Sequence, residues 1–301
     1  MHGDKCIYND VNKSYMFNAI LAKSTIENAC NTYHMMKQKV KEKNPLIYHI
    51  TNYVTVNDCA NVTLAVGASP AMADDEAEVE EFVNIASALL INIGTLNKDI
   101  KNSILKAVKK ANELEVPVIL DPVGVGASKF RKDFINELLE TYKISSIRGN
   151  ISEIKSILNL SSNTKGADAS KEDLESIDNT LNIAKELANK LSLVVAITGE
   201  TDVISDGKRV VTIKNGNYLL PYITGTGCMC SSLVASYCGA SNDKIFEATV
   251  LGVITMGIAG EIAYENSNNK GLGTFHKELF NAISNFNEDI LIKKANFQDI
   301  K

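Results

Sequence analysis

A glycine-rich turn, Thr-Gly-Thr-Gly-Cys at residues 224–228, runs directly into an apolar stretch. Glycines leave backbone N–H groups uncovered and a helix start carries a positive dipole, so Gly225, Thr226 and Gly227 are candidates for an anion hole that holds phosphate. Cys228 would lie in the first helical turn, where the dipole lowers the pKa of a thiol. Such a thiol can act as a base, a nucleophile or a hydrogen-bond partner. The alternative is a helix capped by Thr224, with Cys228 merely packed beneath it.

Two acidic residues are candidates for a magnesium site. Glu153 follows Asn150 by three residues at a predicted helix start, so both side chains face the same way. Asp121 ends a predicted buried strand and is the natural second acid, because Mg²⁺ takes one or two carboxylates together with water and substrate phosphates. Two structural alternatives stay open: Asn150 and Glu153 have the form of a capping box, and Asp121 before proline is also typical of a turn.

Arg148 and Thr198 are candidates for phosphate binding. Arg148 is one of three arginines and lies beside a glycine at a predicted strand end, where it can clamp phosphate oxygens or form a surface ion pair. Thr198 and the following glycine offer a hydroxyl and uncovered N–H groups, or a strand-terminating turn. Together these groups fit phosphoryl transfer, which depends on positioning and charge neutralisation. The chain has no P-loop and no protein-kinase signature, so a nucleotide would bind in another architecture.

These residues are expected at one edge of an α/β sheet. Short apolar runs alternate with helical stretches and predict strands at Leu46–Thr51, Ala88–Gly94, Val116–Asp121, Ile144–Arg148 and Val194–Thr198. The alternation predicts right-handed βαβ units and a mostly parallel sheet with helices on both faces. Polar residues cluster where these strands end, and in open α/β sheets ligands bind outside the carboxyl ends of the strands. We therefore expect the clusters to converge on one site.

The rest of the chain predicts further elements. Residues 202–220 indicate antiparallel hairpins with turns at Asp206-Gly207 and Asn215-Gly216, and the chain after residue 225 is predicted helical to about residue 285. Residues 37–43 carry alternating lysines and predict a short helix with a solvated face that stops before Pro45. Residues 1–34 lack sustained periodicity, so we treat them as an N-terminal extension of unknown role before a single domain at 35–301.

Composition excludes several classes of protein. The chain of 301 residues is 45% hydrophobic and 22% charged, which excludes a disordered protein, and its net charge of -5 argues against general nucleic-acid binding. The apolar stretch 248–263 contains three glycines and a glutamate, so we predict a buried helix and no membrane span. No signal peptide is evident and the six cysteines form no C-x-x-C pair, so we expect free thiols and a cytoplasmic protein.

The chain resembles the hydroxyethylthiazole kinase family over about residues 37–284. The matching blocks occur in the family's order: Asn-Pro-Leu at 44–46, Ile-Thr-Asn-Tyr-Val at 50–54, Gly-Ala-Ser-Pro-Ala-Met-Ala at 67–73, Leu-Ile-Asn-Ile-Gly-Thr-Leu at 90–96, Asp-Pro-Val-Gly-Val-Gly-Ala at 121–127, Arg-Gly-Asn-Ile-Ser-Glu-Ile at 148–154, Thr-Gly at 198–199 and Gly-Thr-Gly-Cys at 225–228. Several blocks are specific, and their joint order is typical of that family.

The resemblance implies a ribokinase-like α/β fold without a lid, and a homotrimer with active sites at subunit boundaries. It implies transfer of the γ-phosphate of ATP to the hydroxyl of 4-methyl-5-(2-hydroxyethyl)thiazole, a salvage step towards thiamine. By the same resemblance, Met72, Asn52 and Gly225 would line the thiazole site, Arg148 and Thr198 would contact ATP phosphates, and Asp121 and Glu153 would surround Mg²⁺. Cys228 stands where related sugar kinases carry a catalytic aspartate, and we expect it to orient the substrate hydroxyl more than to remove its proton.

One departure from the family and several alternatives remain. Tyr48 stands where the family commonly has histidine, which would alter packing near the acceptor pocket, and His49 is expected to be a core residue. Cys230 and Cys238 are expected to be small core residues. The acceptor could instead be a hydroxymethylpyrimidine or a pyridoxal-like alcohol. Outside this chemistry, Cys228 could be the nucleophile of a hydrolase or acyl transferase, which needs a nearby histidine, or the chain could bind thiazole without turnover.

Overall fold

The computed structural model describes residues 31–161 and 176–300 as alternating strands and helices. The strands are β1 Leu46–Ile50, β2 Ser69–Met72, β3 Ala88–Asn92, β4 Val118–Asp121, β5 Ser146–Asn150, β6 Val194–Thr198, β7 Asp202–Ser205, β8 Val210–Ile213 and β9 Phe297–Ile300. The helices are α1 at 31–43, α2 Val56–Val66, α3 Val79–Ile85, α4 Lys98–Glu113, α5 Lys129–Thr141, α6 Ile151–Ser161, α7 Ile177–Leu191, α8 Thr226–Ala240, α9 Ile245–Ser267, α10 Leu272–Ser284 and α11 Glu288–Lys294.

The nine strands form one sheet in the order β2-β1-β3-β4-β5-β6-β7-β8-β9. The first six strands pair in parallel, and β7, β8 and β9 extend one edge antiparallel. The predicted α/β class and mostly parallel sheet are therefore confirmed. All strands of the described residues join this sheet, so none of them forms a separate lid.

The sheet is covered on both faces, as predicted. Helices α1, α2 and α8 to α11 pack on one face, and α3 to α7 pack on the other. The strands β3 and β4 are buried along their whole length, which explains their continuous apolar sequences. Cys230 and Cys238 are buried in the first of these cores, as expected.

Two antiparallel features differ from the sequence prediction. The turn at Asp206-Gly207 joins β7 to β8 as expected, but Asn215-Gly216 does not close a second hairpin. Instead β8 pairs with β9 from the chain's C-terminal end, and Asn215 donates a hydrogen bond to Glu261 on α9. Strands β2 and β9 were not predicted, because each has only four residues and no alternation of buried and exposed side chains.

The N-terminal helix is longer and more buried than predicted. Residues 1–30 of the predicted extension lie outside the described residues, but residues 31–34 already belong to α1, which buries Tyr33 in the core. The predicted solvated face is wrong for Lys37, which is 6% exposed and donates a hydrogen bond to the carbonyl oxygen of Val66 at 3.0 Å. Burial, with Lys41 nearby, lowers the pKa of Lys37 to about 8. The lysine thus donates a hydrogen bond to a carbonyl oxygen at the C-terminal end of α2 that has no partner within the helix.

Helix α9 confirms the predicted buried apolar helix. Among the described residues it is the one helix long and apolar enough to cross a membrane. However, 78% of its most apolar window is buried inside the fold, as in the central helix of a soluble protein. Gly252 lies against the backbone of Val234 on α8, where a Cβ atom would approach to within 2.7 Å, so the two helices pack closely.

Candidate functional site

The polar residues at the strand ends converge, as the sequence predicted. Asn92 and Asp121 end the adjacent strands β3 and β4 and are paired in the sheet register, and Asn52 follows β1. Cys228 on α8 joins this group, because its sulfur accepts hydrogen bonds from the side chains of Asn52 and Asn92. Residues separated by up to 176 positions in sequence therefore form one buried polar cluster.

The glycine turn begins α8 in the predicted way, but with a different cap. Gly225 is the N-cap residue with φ of 92°, and a Cβ atom there would lie 2.6 Å from Cγ2 of Thr55. Both its backbone conformation and its contact therefore require glycine. Thr224 does not cap the helix, and Thr226 donates its hydroxyl to the carbonyl oxygen of Leu220. Within the described chain the N–H groups of Gly227 and Cys228 make no backbone hydrogen bond, so they can donate to an anion, whereas the N–H of Thr226 donates to the carbonyl oxygen of Ile223 at 3.5 Å.

The predicted fall in the pKa of Cys228 is wrong. Burial and then the Asp121 carboxylate raise the pKa of the thiol, and these effects exceed the hydrogen bonds donated to its sulfur. The amide nitrogens lie at 3.4 Å for Asn52 and 3.2 Å for Asn92. Cys228 is 8% exposed, so the group at the helix start is a neutral thiol held in place by two amides. A neutral thiol can orient a hydroxyl but is a poor base at neutral pH.

Asp121 is the buried acid of the site. Its Oδ2 accepts hydrogen bonds from Asn92 at 2.9 Å and from Ser231 at 2.8 Å, and lies 4.0 Å from Nη1 of Arg148. Within the described chain, Oδ1 is buried without a hydrogen-bond partner. Burial raises the pKa of Asp121 to about 6, against the opposing effect of the arginine. An unpartnered buried carboxylate oxygen is open to a cation or its water.

Arg148 connects the acid to the helix start. Its Nη2 donates to Oγ1 of Thr198 at 2.5 Å, and its guanidinium lies against Gly227, where a Cβ atom would approach Nη1 to within 2.6 Å. The two predicted phosphate contacts are therefore brought together next to the helix N-terminus. Strand β5 extends to residue 150, two residues beyond the predicted end, so Arg148 lies within the strand.

Glu153 forms the capping box that the sequence left open. Its Oε2 accepts from the backbone N–H of Asn150, and its own N–H donates to Oδ1 of Asn150, both at 2.9 Å. Its Oε1 also accepts from the N–H of Gly124 at 3.0 Å, in the loop after β4. Each carboxylate oxygen keeps a free lone pair, so the capping role leaves room for a water-mediated cation.

Met72 lies apart from the hydrogen-bonded cluster. It ends β2 at the outer edge of the sheet, is half-buried, and pairs with His49 in the register. Sequence reasoning did not assign Asn92 or Ser231 to the site. Asn92 belongs to the polar clusters expected at the strand ends but was given no role of its own. Ser231 follows Cys228 by three residues on α8, the spacing that places two side chains on one helix face.

The described histidines do not support a nucleophilic Cys228. His49 is buried, with Nδ1 2.9 Å from the carbonyl oxygen of Ile47, and burial lowers its pKa to about 4, so it is the expected core residue. His34 lies beside Glu288, and His276 beside Asp58. In residues 31–161 and 176–300, the side chains that hydrogen bond to Cys228 are those of Asn52, Asn92 and Thr55, and no histidine is among them.

Tyr48, the departure from the family, is fully buried. Its ring stacks on Phe82 at 5.3 Å between centroids, in the core beneath α3 to α7, which is opposite to the face that carries α8. Tyr48, in place of the family's histidine, therefore contributes to packing in the core on the face of the sheet opposite α8.

Comparison with known proteins decides the family. The model of the hydroxyethylthiazole kinase family matches residues 37–289. The chain belongs to this family. It is 55% identical over 251 residues to a hydroxyethylthiazole kinase of Clostridium tetani (strain Massachusetts / E88), covering 83% of this chain and 91% of that protein. It is 54% identical over 262 residues to one of Ruminiclostridium cellulolyticum, covering 87% and 95%.

Solved structures agree with the family and the fold. A hydroxyethylthiazole kinase protein of Pyrococcus horikoshii OT3 superposes with a TM-score of 0.82 at 35% identity, over 90% of this chain and all of that one. A ribokinase-like superfamily protein of Enterococcus faecalis V583 superposes with a TM-score of 0.58 at 11% identity, over 84% of this chain and 89% of that one, and it supports the fold alone. The ribokinase-like fold is thus confirmed for this member of the hydroxyethylthiazole kinase family.

Proposed function

We propose that this protein transfers the γ-phosphate of ATP to the hydroxyl of 4-methyl-5-(2-hydroxyethyl)thiazole, a step of thiamine salvage. The carrying observation is the buried cluster that joins Cys228, at the start of a glycine-opened helix, to Asp121 and Arg148. This cluster supports a thiol that orients the hydroxyl next to donors that bind phosphate, in a chain that belongs to the hydroxyethylthiazole kinase family. ATP follows as co-substrate from the kinase family.

We assign the acceptor side to Asn52, Met72, Gly225 and Cys228. The neutral thiol of Cys228 forms a hydrogen bond with the substrate hydroxyl and aims its oxygen at the γ-phosphorus. As the new O–P bond forms, the bond from phosphorus to the bridging oxygen of ADP breaks. Since phosphoryl transfer is largely dissociative, the hydroxyl proton can leave late, to a phosphoryl oxygen or to water. The thiol then remains neutral throughout, which agrees with its raised pKa.

We assign the nucleotide side to the anion hole and the arginine. The N–H groups of Gly225, Thr226 and Gly227 would receive phosphate oxygens, and Arg148 would clamp them while Thr198 holds its guanidinium. These donors are fixed in place before the reaction. They therefore stabilise the charge that grows on the transferring group without having to reorganise.

Asp121 and Glu153 fit a Mg²⁺ ion bound with ATP. Asp121 presents the unpartnered Oδ1, and the described residues contain no group of three metal-ligating side chains, which suits an ion held mainly by water and phosphates. When bound, such an ion would neutralise negative charge on the phosphates during transfer. The role of this chain is to hold the two carboxylates at fixed strand and helix ends.

We also propose a homotrimer with active sites at subunit boundaries, in the cytoplasm, built from one kinase domain; we extend the expected range of 35–301 to include Tyr33, which α1 buries in the same core. Tyr53 and Val54 directly follow Asn52 and are 78% and 60% exposed, so an apolar surface adjoins the acceptor side. A neighbouring subunit would cover it. Light scattering should give three times the chain mass of 32.7 kDa, and a mass of one chain would contradict the trimer.

The test of function is alcohol-dependent formation of ADP. Purified protein with Mg²⁺ and ATP should form ADP when the thiazole alcohol is added, and the phosphorylated product should appear by mass spectrometry. Hydroxymethylpyrimidine and pyridoxal serve as matched alcohols, and either being turned over faster would change the assigned substrate. Folded protein that binds ATP but shows no alcohol-dependent turnover would refute the kinase assignment.

A further inference from the structure

Asn92 occupies the centre of the buried cluster. It is the last residue of β3, is 2% exposed, and lies opposite Asp121 in the sheet register. Its side chain contacts both halves of the site: Nδ2 donates to Oδ2 of Asp121 at 2.9 Å and to the sulfur of Cys228 at 3.2 Å. One amide nitrogen therefore connects the nucleotide side to the acceptor side.

The orientation of this amide is determined by its partners. Oδ1 of Asn92 accepts from Nδ2 of Asn52 at 3.0 Å and from the backbone N–H of Gly94 at 2.9 Å. Both donors and both acceptor positions of the amide are thus occupied. A flipped amide would place its oxygen against the Asp121 carboxylate. A Cβ atom at residue 94 would lie 3.1 Å from this Oδ1, so the turn after β3 also fits closely around the side chain.

We propose that Asn92 is a positioning residue that holds the Cys228 sulfur and the Asp121 carboxylate at a fixed separation, so that the oriented hydroxyl meets the γ-phosphate in line. The inference rests on the kinase function proposed above. Its physical basis is that transfer between two bound substrates depends strongly on the placement of their reacting atoms. A group bonded to both sides sets that placement directly.

Ser231 provides a matched comparison. It donates its hydroxyl to the same oxygen of Asp121 at 2.8 Å, and it is as deeply buried as Asn92. Its bond supports the nucleotide side only, whereas Asn92 has the second bond to Cys228. Ser231→Ala therefore removes support from Asp121 without removing a donor from the sulfur.

The experiment compares steady-state kinetics for both substrates in Asn92→Ala and Ser231→Ala. Loss of a hydrogen bond to a charged group is expected to change rates about tenfold to hundredfold. Ser231→Ala should raise the KM for ATP and leave the KM for the alcohol within about twofold. Asn92→Ala should raise both KM values and lower kcat about tenfold to hundredfold. Asn92→Leu, which retains volume without a donor, should behave like Asn92→Ala.

A double-mutant cycle with Cys228→Ala distinguishes a positioning role of Asn92 from a purely structural one, because only the positioning role couples the kinetic effects of the two substitutions. On that background, Asn92→Ala should reduce kcat/KM clearly less than it does in the parent protein, because its bond to the Cys228 sulfur is already lost. Equal profiles for the Asn92 and Ser231 variants, or full additivity of Asn92→Ala with Cys228→Ala, would overturn the inference. Melting curves identify variants that do not fold. If Asn92→Ala is one of them, Asn92→Leu replaces it in the kinetic comparison. Absent turnover in the parent protein would instead overturn the proposed function, and this inference with it.

Discussion

Substitution of Gly227 by alanine separates the stability of α8 from its function. Gly227 is the second residue of the helix and has helical φ, so alanine suits its backbone. A Cβ atom there would lie 2.6 Å from Nη1, 3.1 Å from Nη2 and 3.2 Å from Cζ of Arg148. Ordinary contacts begin near 3.4 Å, so the guanidinium must move by about an ångström. The backbone N–H of residue 227, by contrast, is retained.

The two expected effects have opposite signs. In a helix, alanine is favoured over glycine by about 0.5–1 kcal/mol, so the free energy of unfolding should stay level or rise. Displacement of Arg148 breaks its bond to Thr198 and turns the guanidinium away from the anion hole. A charge-assisted hydrogen bond contributes about 1.5–3 kcal/mol, which predicts a fall of about 10- to 150-fold in kcat/KM for ATP.

The measurements are ATP kinetics by coupled ADP formation and the free energy of unfolding in urea. Gly273→Ala is the matched control, since Gly273 is also the second residue of its helix, and no described heavy atom would lie within 4 Å of its Cβ. The control should show the same favourable effect on stability with unchanged kinetics. Normal ATP kinetics in Gly227→Ala would refute the placement of Arg148 against the helix start. A free energy of unfolding below that of the parent protein would contradict the expectation that the guanidinium moves aside.

Three further variants test the chemistry and the core. Cys228 should be alkylated by iodoacetamide at a rate that still rises above pH 9, since burial raises its pKa; an alkylation rate that levels off near pH 7 would contradict the neutral thiol. Cys228→Ser should keep activity within about tenfold. Glu153→Gln removes the charge but leaves one acceptor oxygen for the capping box, so the Mg²⁺ concentration for half-maximal activity should rise several-fold, and an unchanged Mg²⁺ requirement would remove Glu153 from the metal site. Because the side-chain NH₂ then faces the N–H of Gly124, the melting temperature should also fall. The unfolded state binds a proton at His49 near pH 6.5 and the folded state only near pH 4, so stability is lost as pH falls through this range. Between pH 7.5 and 5 the free energy of unfolding of the parent protein should fall by about 2 kcal/mol more than that of His49→Gln. Parallel pH curves for the two proteins would disprove this.

Much of the parallel sheet could be predicted from local sequence. Strands β1, β3, β4 and β6 are apolar runs bounded by polar residues and turn formers, so their positions were predicted to within a few residues. The edge strands β2 and β9 lack such a pattern, since they are short and only partly covered. The pairing of β8 with β9 joins residues almost 90 positions apart, and no local signal specifies it.

Local sequence named polar residues that the structure brings together, but it did not predict their electrostatics. Helix-start chemistry predicted a lowered pKa for Cys228, whereas burial and the carboxylate of Asp121 raise it. The alternating lysines of residues 37–43 predicted a solvated Lys37, which instead reaches the end of α2. A pKa depends on every charge and on the solvent within several ångströms, and those neighbours come from distant parts of the chain.

By itself, the sequence determined the alternation of strands and helices, the glycine-opened helix start and the residues whose chemistry suits phosphoryl transfer, because each depends on neighbours within a few positions. The tertiary structure decided which of those groups touch. It placed Asn92 between Cys228 and Asp121, and Arg148 against Gly227. It also made the thiol neutral and left one carboxylate oxygen unpartnered. These properties arise only when the strand ends converge, since burial and hydrogen bonding across the sheet set them.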